Sequence, residues 1–425
     1  MNARGILNSV LVFVILAALS GCVKVEIVSP DEGIESEVEV QAPTDTDLES
    51  LPTGEPLPTV TPTEPLPTDE PMPTATPGWM QNNNNGFGDP TSIGISALEV
   101  FNDLLYAGTW NWDKGARVWR SSDGSSWTAV TEPGFGSIYA NTNPIIPDMI
   151  AFNGQLYAGA GWDGKGGQIW RSPNGTSWTQ VVDNGFGDPN NIAVVLFTVF
   201  NNNLYACTRS EKAHGLEIWR SATGDTSDWS QVVTNGFDDN PKNWNCTGFA
   251  IFNGYLYAAT ESGAEDTDGF EIWRTNNGEN WTQATIAGFG NPDNVGAGGM
   301  AIYNGFLYVG TLNYSTGAQI WRTSSGENWE QVTGNGLGDA NNLKVDPFYV
   351  FGDDLYACAD NIQTGAEVWR SSDGSNWDQV NRDGFGDSNT IYCSLWANGI
   401  VAFNGSLYIG TVNNVNGGEL WQLLN

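Results

Sequence analysis

From Trp79 to the C-terminus, apolar and polar residues alternate in short runs broken by Asn-Gly and Ser-Ser-Asp-Gly. That is the period-two pattern of half-buried strands, not the 3.6-residue period of helices. Residues 300–339 give one full cycle. MAIY runs into Asn304-Gly305, FLYVGT returns, a polar loop leads to AQIWRT, and the turn SSGEN leads to WEQVT. Asn-Gly between such runs predicts a tight hairpin, because both central residues need positive φ. The cycle recurs through Leu-Tyr pairs beginning at Leu105, Leu156, Leu204, Leu256, Leu307, Leu355 and Leu407. A Trp marks each third strand, at Trp119, Trp170, Trp219, Trp273, Trp321, Trp369 and Trp421. Units of about 50 residues carrying four strands each predict an all-β fold, a β-propeller.

The two ends of the array predict how it closes. A fourth-strand Trp precedes each Gly-Phe-Gly-like loop, at Trp127, Trp178, Trp229, Trp281, Trp329 and Trp377. The last unit stops after Trp421 and has no fourth strand, while Trp79 stands at the same offset before Gly86. An N-terminal strand is therefore expected to complete the last of seven blades and to leave no open sheet edge.

The residues before Trp79 have a different character. Ile6 to Leu19 is an apolar run after Arg4, shorter than the about 20 residues that span a bilayer, as expected for a signal peptide. Its ending, Leu19-Ser20-Gly21-Cys22, resembles the lipobox of bacterial lipoproteins. The resemblance implies cleavage before Cys22 and lipidation of its thiol. Residues 22–78 are rich in Pro, Thr and acids and read as an extended, disordered tether. The expected organisation is a leader over 1–21, a lipid-anchored tether over 22–78 and a propeller over 79–425. That places the chain outside the cytoplasm, anchored to a bacterial cell envelope, as a monomer.

The formal charge of −33 is shared by tether and repeats. It argues against nucleic acid or anionic headgroups as partners, since both demand Lys/Arg clusters. Cys207 and Cys358 hold equivalent second-strand positions, each followed by a Cys near the start of the next first strand, Cys246 and Cys393. Disulfides Cys207–Cys246 and Cys358–Cys393 are expected in an oxidising compartment.

Ser121-Ser-Asp-Gly-Ser-Ser-Trp127 and Ser371-Ser-Asp-Gly-Ser-Asn-Trp377 resemble the Asp-box of sialidase-like (BNR) propellers. The motif here is one residue shorter, and Asn174, Asn277 and Ser325 replace the Asp in other units. The resemblance implies a propeller and gives the motif a structural role. It also raises the alternative of a sialidase-like glycoside hydrolase. The arginines outside the repeated Trp-Arg dipeptide and the leader, Arg117, Arg209 and Arg382, are scattered over separate units with no motif around them. Paired carboxylates such as Asp148 and Asp346, at first-strand starts, are the candidates for glycosidase chemistry.

No cofactor is expected, with Ca²⁺ as an alternative. The acids of the Gly-Phe-Gly-Asp loops, Asp188, Asp239, Asp339 and Asp387, could ligate it. The same residues serve equally well to stabilise their own turns. His214 stands alone and makes no metal site by itself.

The Trp residues outside the repeat positions are Trp110, Trp112, Trp162, Trp244 and Trp396. All fall in segments at the end of the blades where second strands finish. Trp110, Trp112, Trp162 and Trp396 map to neighbouring blades once the ring closes, with Asp113, Asp163 and Lys165 among them. Trp exposed in loops calls for a reason beyond core packing. The reading is a non-catalytic binding module whose ligand is a glycan or a protein, against the alternatives of a hydrolase and of a protein-interaction propeller.

Overall fold

The computed structural model describes residues 78–424 except 137–142, 212–213, 264–267 and 395–397. The leader, Cys22, the tether and Trp396 lie outside the described residues.

The hairpin turns set the register of the inner strands. Asn304 and Gly305 take φ of 48° and 78°, joining Asn294–Tyr303 to Phe306–Asn313 with Tyr303 opposite Phe306. Ile320–Thr323 and Glu330–Gln331 then add in antiparallel order. Two bounds differ from those expected. The first strand begins at Asn294 rather than Met300, because register shifts let the glycine-rich stretch stay paired. The fourth strand starts only after Trp329, whose ring packs on Phe289 of the preceding unit.

The same four-stranded meander recurs along the chain. The first consists of Ser92–Phe101, Leu104–Asn111, Val118–Ser121 and Thr128–Ala129. The second runs from Met149–Phe152 to Thr179–Val182, and the third from Asn191–Phe200 to Ser230–Val233. The fourth runs from Asn245–Phe252 to Thr282–Gln283, and the sixth, after the unit just described, from Asn342–Phe351 to Asp378–Gln379. In the last, Ile400–Phe403, Ser406–Gly410 and Leu420–Leu423 are completed by Trp79–Gln81, with Trp79 opposite Leu423 and Gln81 opposite Trp421. Last and first meanders also touch directly. Gly94 pairs with Val412, and Leu98 N donates to Asn398 O at 2.8 Å.

Aromatic rings join most units to the next, with Leu337 taking the place of the Phe between the fifth and sixth. Phe135 lies flat on Trp170 at 4.6 Å and edge-on to Trp178 at 5.6 Å. Phe186, Phe237 and Phe289 repeat the arrangement on Trp219, Trp273 and Trp321. Such stacks add about 0.5–1.5 kcal/mol each beyond the area they bury.

The Ser-Ser-Asp-Gly turns explain their own substitutions. Asp123 Oδ1 accepts from the backbone N–H of Ser125 and Ser126, and Ser121 Oγ from that of Gly124. Asn174 and Asn277 offer the same Oδ1 acceptor, and Ser325 Oγ a longer one at 3.2 Å. An uncharged oxygen suffices because the bond is to backbone N–H groups within one turn.

Cys358 and Cys393 form the expected disulfide, with Cα atoms 6.1 Å apart. The expected bond Cys207–Cys246 is not formed. Both residues are buried free thiols lying against each other, and burial pushes the Cys207 thiol up. Adjacent strands bring the two sulfurs together, but proximity alone does not oxidise them.

Candidate functional site

At one end of the meanders the second strands finish and the next first strands begin. Trp110 ends Leu104–Asn111 and bridges to Ile145, which bridges to Gly161, which bridges to Ala193. This ladder holds Trp110 and Trp162 against one apolar cluster built on Ile145, Ala193 and Leu196. Trp112, 40% exposed, stands edge-on to Trp110 at 5.6 Å. Trp162 has φ of 78°, a left-handed conformation uncommon for a bulky residue and shared here with the Phe of the repeated Gly-Phe-Gly loops.

Arg209, on the strand Asn203–Ser210, lies between two of these units. Its guanidinium carbon lies 4.3 Å from the Trp162 ring centre and 4.1 Å from that of Trp244. Trp244 is fixed by Ser210 N donating to its carbonyl at 2.8 Å and by its own N–H donating to Glu261 O at 3.3 Å. Asn245 Nδ2 donates to Glu261 Oε2 at 2.8 Å. Burial lowers the Arg209 guanidinium to about 10, with Glu261 acting in the opposite direction, so it remains a cation at neutral pH.

Beyond Glu261 the same end carries Tyr314, Lys344, Asp346, Asp360 and Tyr392, which influence one another electrostatically. Lys344 Nζ meets Asp346 Oδ2 at 2.7 Å, with Asp346 almost fully buried. Burial alone would lower the Lys344 ammonium, but Asp346 and Asp360 outweigh it and hold it up. Burial drives Tyr314 and Tyr392 each to about 12.

The candidate carboxylates Asp148 and Asp346 are placed apart, in different surroundings. Asp148 Oδ2 accepts from Phe197 N at 2.6 Å, and its Oδ1 accepts from Asn398 Nδ2. Asp346 Oδ1 accepts from Gly299 N at 2.8 Å. Both therefore tie neighbouring units together through backbone N–H groups. Asp148 is raised to about 7 by burial. Beside it, Glu99 is raised to about 8 by burial and by the Asp148 charge.

Asp188, Asp339 and Asp387 each accept through Oδ1 from the backbone and side-chain N–H of Asn190, Asn341 and Asn389. Asp239 sits in its loop with φ of 55°. Among the described residues no group of His, Cys, Asp or Glu is placed to hold a metal ion. Asp113 and Asp163 lie in the loops beside Trp112 and Trp162, where Asp163 Oδ1 accepts from Lys165 N at 3.0 Å.

Sequence reasoning brought Trp110, Trp112 and Trp162 to one end but left Trp244 outside the sector and Arg209 among scattered arginines. The available signal was positional. Arg209 and Glu261 end second strands as Trp110 does, and Trp244 directly precedes a first strand.

No protein-family model and no curated protein matches the chain. Among solved structures it is similar to the GH74 xyloglucanase from Xanthomonas campestris, with a TM-score of 0.53 and 16% identity over 81% of this chain. The chain spans about half of that enzyme, 53%. It is also similar to a PL25 ulvan lyase, with a TM-score of 0.52 and 10% identity over 80% of this chain and 94% of that one. A third similar structure is the WD40 β-propeller domain of Doa1, with a TM-score of 0.49 and 11% identity over 81% of this chain and 97% of that one. At such identities the likeness to the xyloglucanase and the lyase speaks to architecture alone, and together with the repeated meanders it supports a β-propeller fold.

Proposed function

We infer that the chain is a seven-bladed propeller on a lipidated stalk that binds carbohydrate, without turnover, at the end carrying Trp110, Trp112, Trp162 and Trp244. The observation that carries this reading is the gathering at one end of tryptophans that the repeat does not require. Indole faces suit the C–H faces of pyranose rings, while sugar hydroxyls need acceptors such as Asp113 and Asp163. The Cys358–Cys393 disulfide favours an extracytoplasmic site of action. The Leu-Ser-Gly-Cys22 ending favours an envelope lipoprotein, and the Asp-box-like turns favour a structural kinship with BNR propellers.

One observation favours hydrolysis instead. Glu99 and Asp148 are close enough to influence each other and are raised to about 8 and about 7, values suited to acid–base work. Against it, both Asp148 oxygens already accept bonds from the fold. A glycan array with the intact ectodomain tests the binding reading, and an array on which nothing binds would reject it. Chromogenic glycosides test the alternative, since turnover abolished by Asp148→Asn would replace binding with catalysis.

A further inference from the structure

Arg209 is a half-buried cation that the described residues leave without a mate. Its two faces are covered by Trp162 and Trp244, its Nε is sealed from solvent without an acceptor, and among the described residues it makes no hydrogen bond or ion pair. Glu261, Tyr314 and Glu211 act on it electrostatically, yet none lies within ion-pairing distance. A guanidinium without an acceptor is costly, whereas one held between indoles is preorganised for a planar, bidentate anion.

The surrounding atoms point the same way. Asp163 Oδ2, Trp244 Nε1 and Asn245 Oδ1 are also buried without a hydrogen-bond partner. Five other indole N–H groups in that condition, on Trp178, Trp229, Trp281, Trp329 and Trp377, occupy the repeated fourth-strand position and follow from the blade pattern. The set around Arg209 belongs to no repeat. It combines donors and acceptors on Trp244 and on the residues that follow Trp162 and Trp244 in sequence, and orphaned buried polar atoms of this kind mark a binding site.

We propose that Arg209, clamped between Trp162 and Trp244, receives the anionic group of an acidic saccharide, with Asp163, Trp244 and Asn245 taking its hydroxyls. The proposal rests on the carbohydrate reading above and narrows it. The overall charge of −33 disfavours a dense polyanion at long range. The fitting ligand therefore carries isolated acidic groups on a largely neutral chain, either the carboxylate of a uronate or a sulfate ester.

The test titrates the intact ectodomain calorimetrically with three probes: a glucuronate-bearing oligosaccharide, its carboxyl-reduced neutral counterpart, and a sulfated neutral oligosaccharide. Wild type should bind at least one acidic probe about tenfold or more tightly than the neutral one, the scale of a charge-assisted pair. The acid that binds identifies the source of the anion. Arg209→Gln should abolish the difference and Arg209→Lys should retain part of it, each with a melting temperature recorded alongside. Equal wild-type affinity for the neutral and acidic probes would overturn the anion site and leave carbohydrate binding standing. Failure of all three probes on a protein that also fails the glycan array would remove both readings.

Discussion

Trp79 and Phe385 meet edge-on with ring centres 5.5 Å apart, joining the first described strand to the last inter-unit loop. Phe385 also lies flat on Trp421 at 4.6 Å. Trp79 thus takes towards Phe385 the place that Trp178 takes towards Phe135, and its indole N–H donates to Val380 O at 2.9 Å. The last unit is thus joined to the one before it by the same Phe–Trp parts that join most other pairs of units.

Closure makes the short strand Trp79–Gln81 matter out of proportion to its length. Trp79→Ala should destabilise the domain by about 3–5 kcal/mol, the usual cost of truncating a packed Trp. Deleting residues 79–81 should cost at least as much, by exposing the Leu420–Leu423 edge. Thermal denaturation reads both, and a melting temperature unmoved by the deletion would disprove the closure.

Glu99 and Asp148 should make stability fall with rising pH. Burial raises Asp148 to about 7, and burial with the neighbouring Asp148 charge raises Glu99 to about 8. Unfolded carboxyls titrate near 4, so the fold holds these protons more tightly than the unfolded chain does. Their contribution is complete below about pH 4 and is lost as pH rises through the folded values. The melting temperature should decline between about pH 4 and about pH 8 and level off above it. Glu99→Gln should flatten that decline, and an unchanged slope in the variant would exclude the pair as its origin.

The cysteines should behave unequally. Peptide mapping without reductant should recover Cys358 linked to Cys393, and reducing that bond should cost about 2–4 kcal/mol. Cys207 and Cys246 should resist alkylation in the folded protein and react once it is denatured, because both are buried and the Cys207 thiol is pushed up. Rapid labelling of the native protein at either residue would contradict that burial.

The turn glycines are a further test of the inter-unit contacts. Gly278 has φ of 78°, and a Cβ there would run into the hydroxyl of Tyr205 from the preceding unit. Gly278→Ala should therefore cost more than the about 1 kcal/mol ordinary for a left-handed alanine. In Gly278→Ala/Tyr205→Phe, which removes the hydroxyl it strikes, part of the loss should return. Additive losses in the double variant would show that the two residues do not press on each other.

The fold was legible because its determinants are local and repeated. Asn304-Gly305 announces its hairpin, and Trp127 with its counterparts announces the blade interval. Trp79 could be matched to an absent fourth strand because its offset from Gly86 repeats that interval. The end carrying Trp110, Trp112 and Trp162 was legible only in part, since residues outside the repeat are recognised only by not fitting it. Trp110, Trp112 and Trp162 stood out in that way. Arg209 did not, because nothing local shows that a strand end on one unit will lie between indoles on Gly161–Trp162 and on Trp244 of its neighbours. Cys207 and Cys246 show a related limit: strand positions foretold their proximity but not their oxidation state.

Trp112 and Trp162 should separate binding from support. Trp112 is 40% exposed and rests edge-on against Trp110, so Trp112→Ala should change stability by less than about 1 kcal/mol, as for surface changes generally. If its ring receives a sugar, affinity should fall about tenfold through loss of a stacking face. Trp162 packs on the apolar cluster around Ile145 and Ala193 and also covers Arg209. Trp162→Ala should therefore lower stability and affinity together, while Trp162→Phe, which keeps an aromatic face over the guanidinium, should restore most of the stability and part of the binding. Calorimetric titration beside thermal denaturation reads both quantities. Undiminished glycan affinity in Trp112→Ala and Trp162→Ala would move the binding site away from this end of the propeller.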